Sequence, residues 1–261
     1  MSEYHHSQET HSRNGGAHFM TQSALTGSPY CGSAPTPADV LWAWNGDLWL
    51  IAVFGVLSGL GGWHLGAAER ARQGAFAVAV VAAVVAFISP LCALTVALFS
   101  ARSLHHLVVM SVLAPALALA IPLLRVPVAA SFLALSAALW LWHVPAVYSA
   151  AWDSASIYWM MQLALLLPSW AFWSMVAQGR TTGAVIWLIP LVGQMGLLGA
   201  LLTFAGRPFY LEHLATSERF GRTALQDQQL AGLVMWVPGM VPIAILAAIL
   251  AWRVLMSGAR A

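Results

Sequence analysis

Lysine is absent from this chain of 261 residues, and charged residues of every kind make up only 8% of it. Soluble domains carry about a quarter charged residues, so an ordinary soluble domain is excluded. With no lysine and no run of arginines there is no basic patch to grip nucleic acid. Cysteine is scarce too. Cys31 and Cys92 are too few for a disulfide framework and do not form the CxxC pattern of a zinc site. No nucleophile stands beside a base, no phosphate-binding loop occurs and no catalytic carboxylates are paired, which leaves enzymatic activity little to rest on. The two halves of the chain do not repeat, which argues against the inverted-repeat design of many transporters.

What remains is apolar: 60% of the residues are hydrophobic and the mean hydropathy is +0.77. These values predict an all-α integral membrane protein. Apolar segments near the ~20 residues needed to cross a bilayer fall at about 48–66, 75–95, 103–124, 129–149, 157–178, 184–205 and 229–252. The expected architecture is therefore a bundle of about seven transmembrane helices. Pro90, Pro115, Pro145, Pro168 and Pro190 lie in or near the spans, which membrane helices tolerate when neighbours satisfy the freed carbonyls. The chain divides into a polar tail over 1–40, a membrane domain over 41–255 and a short cytoplasmic tail over 256–261. The first tail has no apolar run suited to a signal peptide, so no cleavage is expected, and its composition reads as disordered. Its His5, His6, His11, His18 and Met20 form a biased tract that can bind metals weakly.

The arginines orient the bundle. With the amino terminus outside and the carboxyl terminus inside, the inner segments hold Arg70, Arg72, Arg125, Arg180, Arg253 and Arg260 against Glu69 alone, a balance of +5. The outer segments hold Arg13, Arg102, Arg207, Arg219 and Arg222 against eight acids, a balance of −3. This agrees with the positive-inside rule.

In that topology the residues with chemistry gather at the outer surface: Cys92, His105, His106, His143, His213 and Asp227, with Met160 and Met161. His64 alone lies near the inner side. Imidazole with sulfur ligands suits copper, and Cu(I) above all, whereas a hard cation would call for several oxygens. His106 and Met110 are four residues apart and share a helix face, while His105 points about 100° away from His106. Each residue also has a plain reading. His143 can bond across helices among interfacial aromatics, and buried methionines are more often packing. A carboxylate at the mouth of a membrane helix, here Asp227, is costly unless it is paired, hydrated or bound to a cation.

Four stretches carry a resemblance: Ile88-Ser89-Pro90-Leu91, Leu98 to Leu107, Leu141-Trp142-His143-Val144-Pro145-Ala146-Val147-Tyr148, and Asp227-Gln228-Gln229 running on to Pro238. In order across about residues 48 to 252, they resemble the CtaG-type cytochrome c oxidase assembly factors. The last motif is the most specific. The resemblance implies about seven spans and a role in maturing the copper centres of haem-copper oxidases. It also implies that His106, His143 and Asp227 are the motif residues. The chain departs from that pattern with Cys92 and Ser149 where aspartates are usual, and with His105 where a glutamine is usual. These changes remove two acids and add a thiol and an imidazole, which favours copper over a hard cation.

The expected function is a non-enzymatic assembly factor in the bacterial inner (plasma) membrane. It would hold or pass copper at the periplasmic face to a haem-copper oxidase subunit, with a periplasmic donor as a second partner. The expected metal site is His106, His143 and Asp227, supported by Cys92, Met110 and His105. Three other readings compete with it. A haem b protein would use His106 and His143 as iron ligands. A copper permease would want sulfur through the full depth of the membrane, where only Met195 and Met235 offer steps. A structural subunit of a respiratory complex would use the cluster for helix contacts.

Overall fold

The computed structural model describes residues 29–123, 126–178 and 181–258. The tail histidines and Met20 lie outside the described residues, as do Arg125, Arg180 and Arg260. Among the described residues every regular element is helical: α1 (Leu48–His64), α2 (Arg70–Phe87), α3 (Pro90–Ala97), α4 (Phe99–Val108), α5 (Ala114–Ala120), α6 (Val128–Trp142), α7 (Pro145–Asp153), α8 (Ala155–Gln178), α9 (Thr181–Thr203), α10 (Leu214–Ser217), α11 (Ala224–Val234) and α12 (Met240–Gly258). A π-helical segment, Val109–Leu113, joins α4 to α5, and a second, Met235–Gly239, joins α11 to α12.

Among the described residues five helices are long and apolar enough to cross a membrane: Arg70–Phe87, Phe99–Ala120, Ala155–Gln178, Ile186–Thr203 and Ala224–Trp252. The number rises to six if α6 and α7, which meet at 83°, make one broken span. At the position of the first expected span, α1 is a shorter apolar helix.

Local chemistry sets the boundaries. Asp47 caps α1 by accepting from the amides of Trp49 and Leu50 at 2.9 and 3.2 Å. The expected second span, 75–95, is divided: α2 ends at Phe87, and Ser89 with Pro90 at the first helical position starts α3. Leu98, at φ −133° and ψ 131°, then breaks α3 from α4. The expected fourth span, 129–149, is bent, because Pro145 pushes Val144 out of the helical region to φ −72° and ψ 121°. Thr223 and Gln226 form a reciprocal capping box at the start of α11. Each π segment adjoins or contains a proline, Pro115 or Pro238, whose missing N–H disturbs the helical ladder. The carbonyl of Met110 in the first π segment accepts from Trp173 Nε1 at 2.9 Å.

The helices pack as neighbours: α6 and α5 on α8, α9 on both α11 and α12, α11 on α4, and α2 on α5. Small residues allow a close approach between α9 and α11. A Cβ at Gly232 would overlap the Gly199 carbonyl and Thr203, and one at Gly199 would come within 2.8 Å of the Gly232 carbonyl. By contrast α1 stands away from the bundle. Its Trp49 and Trp63 are 82% and 84% exposed, and an apolar groove of about 770 Å³ lies between it and α2, α5 and α8.

Candidate functional site

The site is built on α4. Because Leu98 is extended, the first amides of α4 have no carbonyl of their own chain to bond, and the carboxylate of Asp227 fills that role from α11. Its Oδ2 accepts from Phe99 N at 2.6 Å and Ser100 N at 3.2 Å, and its Oδ1 accepts from Ser100 Oγ. Asp227 is fully buried, and its negative charge sits where the dipole of α4 favours it. The two amides that follow clasp the loop after α9. Gln228 Oε1 accepts from Phe209 N at 2.6 Å, while Gln228 Nε2 and Gln229 Nε2 donate to the carbonyls of Arg207 and Ala205. The acid and two amides thus fasten α11 to α4 and to the 205–209 loop, and both oxygens of Asp227 are engaged by protein donors.

The next turns of α4 are different. Arg102, 3% exposed, lies 5.7 Å from the Tyr148 ring centre and 5.6 Å from that of Tyr158. Its Nε and Nη1 have no hydrogen-bond partner among the described residues. His105 is fully buried, edge-on to Phe87 with ring centres 5.3 Å apart, and neither of its nitrogens has a partner there. The His106 ring is centred 5.7 Å from that of His105, and its Nε2 is likewise without a partner among the described residues. The helical twist thus leaves the two rings adjacent, though at an interplanar angle of 65°.

His143 sits at the bend between α6 and α7, within electrostatic reach of His106. Its Nδ1 is 2.6 Å from the Leu139 carbonyl. A carbonyl can only accept, so Nδ1 carries the proton and the lone pair of the neutral ring lies on Nε2. The carbonyl of His143 accepts from Tyr210 Oη at 2.9 Å. Met110 is buried in the first π segment, where it lines a small cavity of about 10 Å³ with Ser111, Trp173 and Met195.

Two expectations are corrected. Cys92 is not a free thiol, because it forms a disulfide with Cys31, 61 residues earlier. The segment expected to be polar tail up to residue 40 is, from residue 29 on, held against the bundle by that bridge. Tyr30 stacks on Tyr158 at 4.9 Å and bonds the Asp47 carboxylate at 2.5 Å. Among the described residues no group of three or more His, Cys, Asp or Glu side chains is arranged to hold a metal ion.

His213 belongs to the same layer. It is buried on the short 3-10 turn Leu211–His213, with Nε2 2.7 Å from Tyr148 Oη. Burial and then the nearby Arg102 charge lower its pKa to about 3, so it is neutral at physiological pH. Sequence reasoning missed Arg102, which it counted as a loop charge. The available signal was its spacing, since Phe99, Arg102 and His105 or His106 recur at helical intervals and share a stripe.

A family model described as cytochrome c oxidase caa3 assembly factor (Caa3_CtaG) matches residues 124–257. Neither a curated protein nor a solved structure matches the chain.

Proposed function

Because the chain belongs to the cytochrome c oxidase caa3 assembly factor family, we propose that it holds or delivers Cu(I) for insertion into the copper centres of a haem-copper oxidase subunit. It does so without catalysis, at the periplasmic face of a bacterial plasma membrane, with its amino terminus outside and its carboxyl terminus inside. The observation that carries this reading is the pair of adjacent buried imidazoles, His105 and His106, which have nitrogens without a partner among the described residues. A polar atom in such a place ordinarily has a partner, and neutral imidazole is a ligand for copper.

In this reading His105 and His106 take the metal, and His143 Nε2, with its tautomer set by the Leu139 carbonyl, supplies a further ligand as copper arrives or leaves. Met110, one turn below His106, offers a thioether. Asp227 acts at one remove by fixing the first turn of α4, and so the rotation at which its histidines are presented. The oxidase subunit receives the metal and a periplasmic donor supplies it. A haem b reading has less support. Porphyrin needs a broad slot between two ligands, and the large groove beside α1 is lined by a single histidine, His64.

The test is Cu(I) competition against a chromophoric chelator with the purified full-length protein, beside the copper content of oxidases in cells carrying each variant. The His105→Ala, His106→Ala double variant should insert and fold but lose both copper binding and oxidase maturation, and His64→Ala should lose neither. Full copper binding by the double variant would reduce the two histidines to packing residues.

A further inference from the structure

The disulfide lies in surroundings that a disulfide does not need. Tyr158 Oη, itself nearly fully buried, is 3.5 Å from Cys31 Sγ and 4.0 Å from Cys92 Sγ. Asn45 Nδ2 lies 3.8 Å from Cys92 Sγ while also donating to the Phe87 carbonyl. Thr95 Oγ1 lies 4.0 Å from Cys31 Sγ while donating to the Cys92 carbonyl. Tyr158 and the second amide hydrogen of Asn45 thus bring polar hydrogens to the two sulfurs, while the one hydroxyl hydrogen of Thr95 is already given to the Cys92 carbonyl. A disulfide is neutral and a weak acceptor, whereas a thiolate is an anion stabilised by such donors and by nearby positive charge. On the Tyr158 ring rests the Arg102 guanidinium, whose buried Nε and Nη1 lack partners among the described residues. Buried guanidinium donors without partners are unfavourable, and the Tyr158 ring that carries them also meets the two sulfurs, so an anion formed there would lie close to this positive charge.

We propose that Cys31 and Cys92, once reduced, form a second Cu(I) site, a dithiolate that the disulfide closes and reduction opens. The proposal rests on copper as the cargo but not on the histidines. Loading proceeds in two balanced steps. A dithiol reductant exchanges with the Cys31–Cys92 bond, giving two thiols on this chain while the reductant leaves as its own disulfide, so that two electrons and two protons pass to the protein. Cu(I) then replaces the two thiol protons, which leave to solvent, and two Cu–S bonds form. The product carries a net charge of −1, which Arg102 balances across the Tyr158 ring.

The geometry allows the change. Cys92 is fixed on α3, but Cys31 lies in a turn outside any helix, so its side chain can swing to admit a metal. The sulfurs then part to about twice the usual metal–thiolate distance of about 2.3 Å. Soft thiolates select Cu(I) over harder ions.

The experiment measures Cu(I) uptake by the full-length protein in detergent, with and without prior reduction by a sulfur-free phosphine. The reduced wild type should bind one Cu(I) more than the oxidised protein and gain an ultraviolet thiolate-to-copper charge-transfer band. Cys31→Ser and Cys92→Ser should each lose the extra equivalent and the band, and the reduced wild type, which lacks the disulfide too, is the folding control. Arg102→Gln should weaken the extra site by about 10-fold, as loss of a supporting contact does at other metal sites, and unchanged affinity would remove Arg102 from the proposal. The His105→Ala, His106→Ala variant should retain the reduction-dependent increment, so failure of the histidine site and failure of this one are told apart. Equal copper binding by the oxidised and reduced wild type, or an increment that survives in Cys92→Ser, would overturn the proposal.

Discussion

Two successive stretches of α4 bury polar groups at the same end of the bundle, yet they treat them in opposite ways. At Phe99 and Ser100 the free donors are met by Asp227, and both oxygens of the acid are taken up in turn. From Arg102 to His106, a guanidinium, a hydroxyl and two imidazoles are buried with atoms left unpartnered among the described residues. A closed network fixes structure, while an open one retains capacity for a ligand. In the proposed reading Asp227 serves architecture and the histidines serve chemistry, although both sit in motifs of one family resemblance. The contrast also joins two parts of the chain, because Asp227 lies within the segment 124–257 matched by the family model and the α4 residues it holds lie before it.

The largest effect on this contrast should come from Asp227→Ala. It leaves two amides and a hydroxyl buried without an acceptor and removes the charge that meets the helix dipole. Hydrogen bonds to charged groups contribute about 1.5–3 kcal/mol each and do not add fully, so a loss of about 3–5 kcal/mol is expected. Thermal melting in detergent should show it as a large drop, with Asp227→Asn falling between. A variant that melts like the wild type but no longer binds copper would make Asp227 a ligand and erase the distinction.

Next in size is Gly232→Ala on the same helix. The added Cβ meets the Gly199 carbonyl and Thr203, forcing α11 away from α9 and pulling Asp227 from α4. Overpacking of this kind costs about 1–3 kcal/mol. If Gly232→Ala left stability unchanged, the hold of α11 on α4 would be looser than its contacts indicate.

The membrane-spanning character was legible in the sequence because apolar runs near 20 residues are scarce outside membrane helices, but the count of about seven exceeds the five or six helices long enough to span among the described residues, and the bend at Pro145 was not read from it. Asp227-Gln228-Gln229 stood out as unusual, but what the motif does was not written there. That role depends on the extended residue Leu98 exposing a helix start 128 residues before the acid, a tertiary fact no periodicity reports. Arg102 was hidden because charges near span ends are counted as loop charges, yet here the residue turns inward between two tyrosines. The disulfide was hidden for a similar reason, since Cys31 stands in a stretch whose composition reads as tail. The π segments have no signature beyond a nearby proline.

A smaller effect separates His213 from its neighbours by pH. Burial holds its folded pKa at about 3, below the ordinary value of about 6.5. Its contribution to stability is therefore present above about 6.5 and is lost as the pH falls from there toward 3, because the unfolded chain takes up a proton that the folded one refuses. Stability should fall by about 1.4 kcal/mol per pH unit for this group, and His213→Gln should remove that share of the slope. An unchanged slope between pH 6.5 and 5 would mean that His213 accepts a proton while folded, and the His213 end of the layer would then belong with the closed network.

The smallest expected change is Tyr210→Phe, and it draws the line between the two networks most finely. Tyr210 is buried, stacks on Phe99 with ring centres 3.9 Å apart, and donates its hydroxyl to the His143 carbonyl at 2.9 Å. It therefore links the first turn of α4 to the bend that carries His143. Phenylalanine preserves the stack and removes one neutral hydrogen bond, a loss of about 1 kcal/mol. The Leu139 carbonyl still holds Nδ1 of His143 from the other side. If one anchor suffices, Tyr210→Phe should lower the melting temperature slightly and leave copper affinity as it was. If copper affinity falls about 10-fold or more while stability barely moves, the His143 carbonyl must be pinned for its imidazole to meet the metal, a supporting role of the kind known around metal ligands. That outcome would place His143 beside His105 and His106 in the open network, and Tyr210 as the contact through which the closed one aims it.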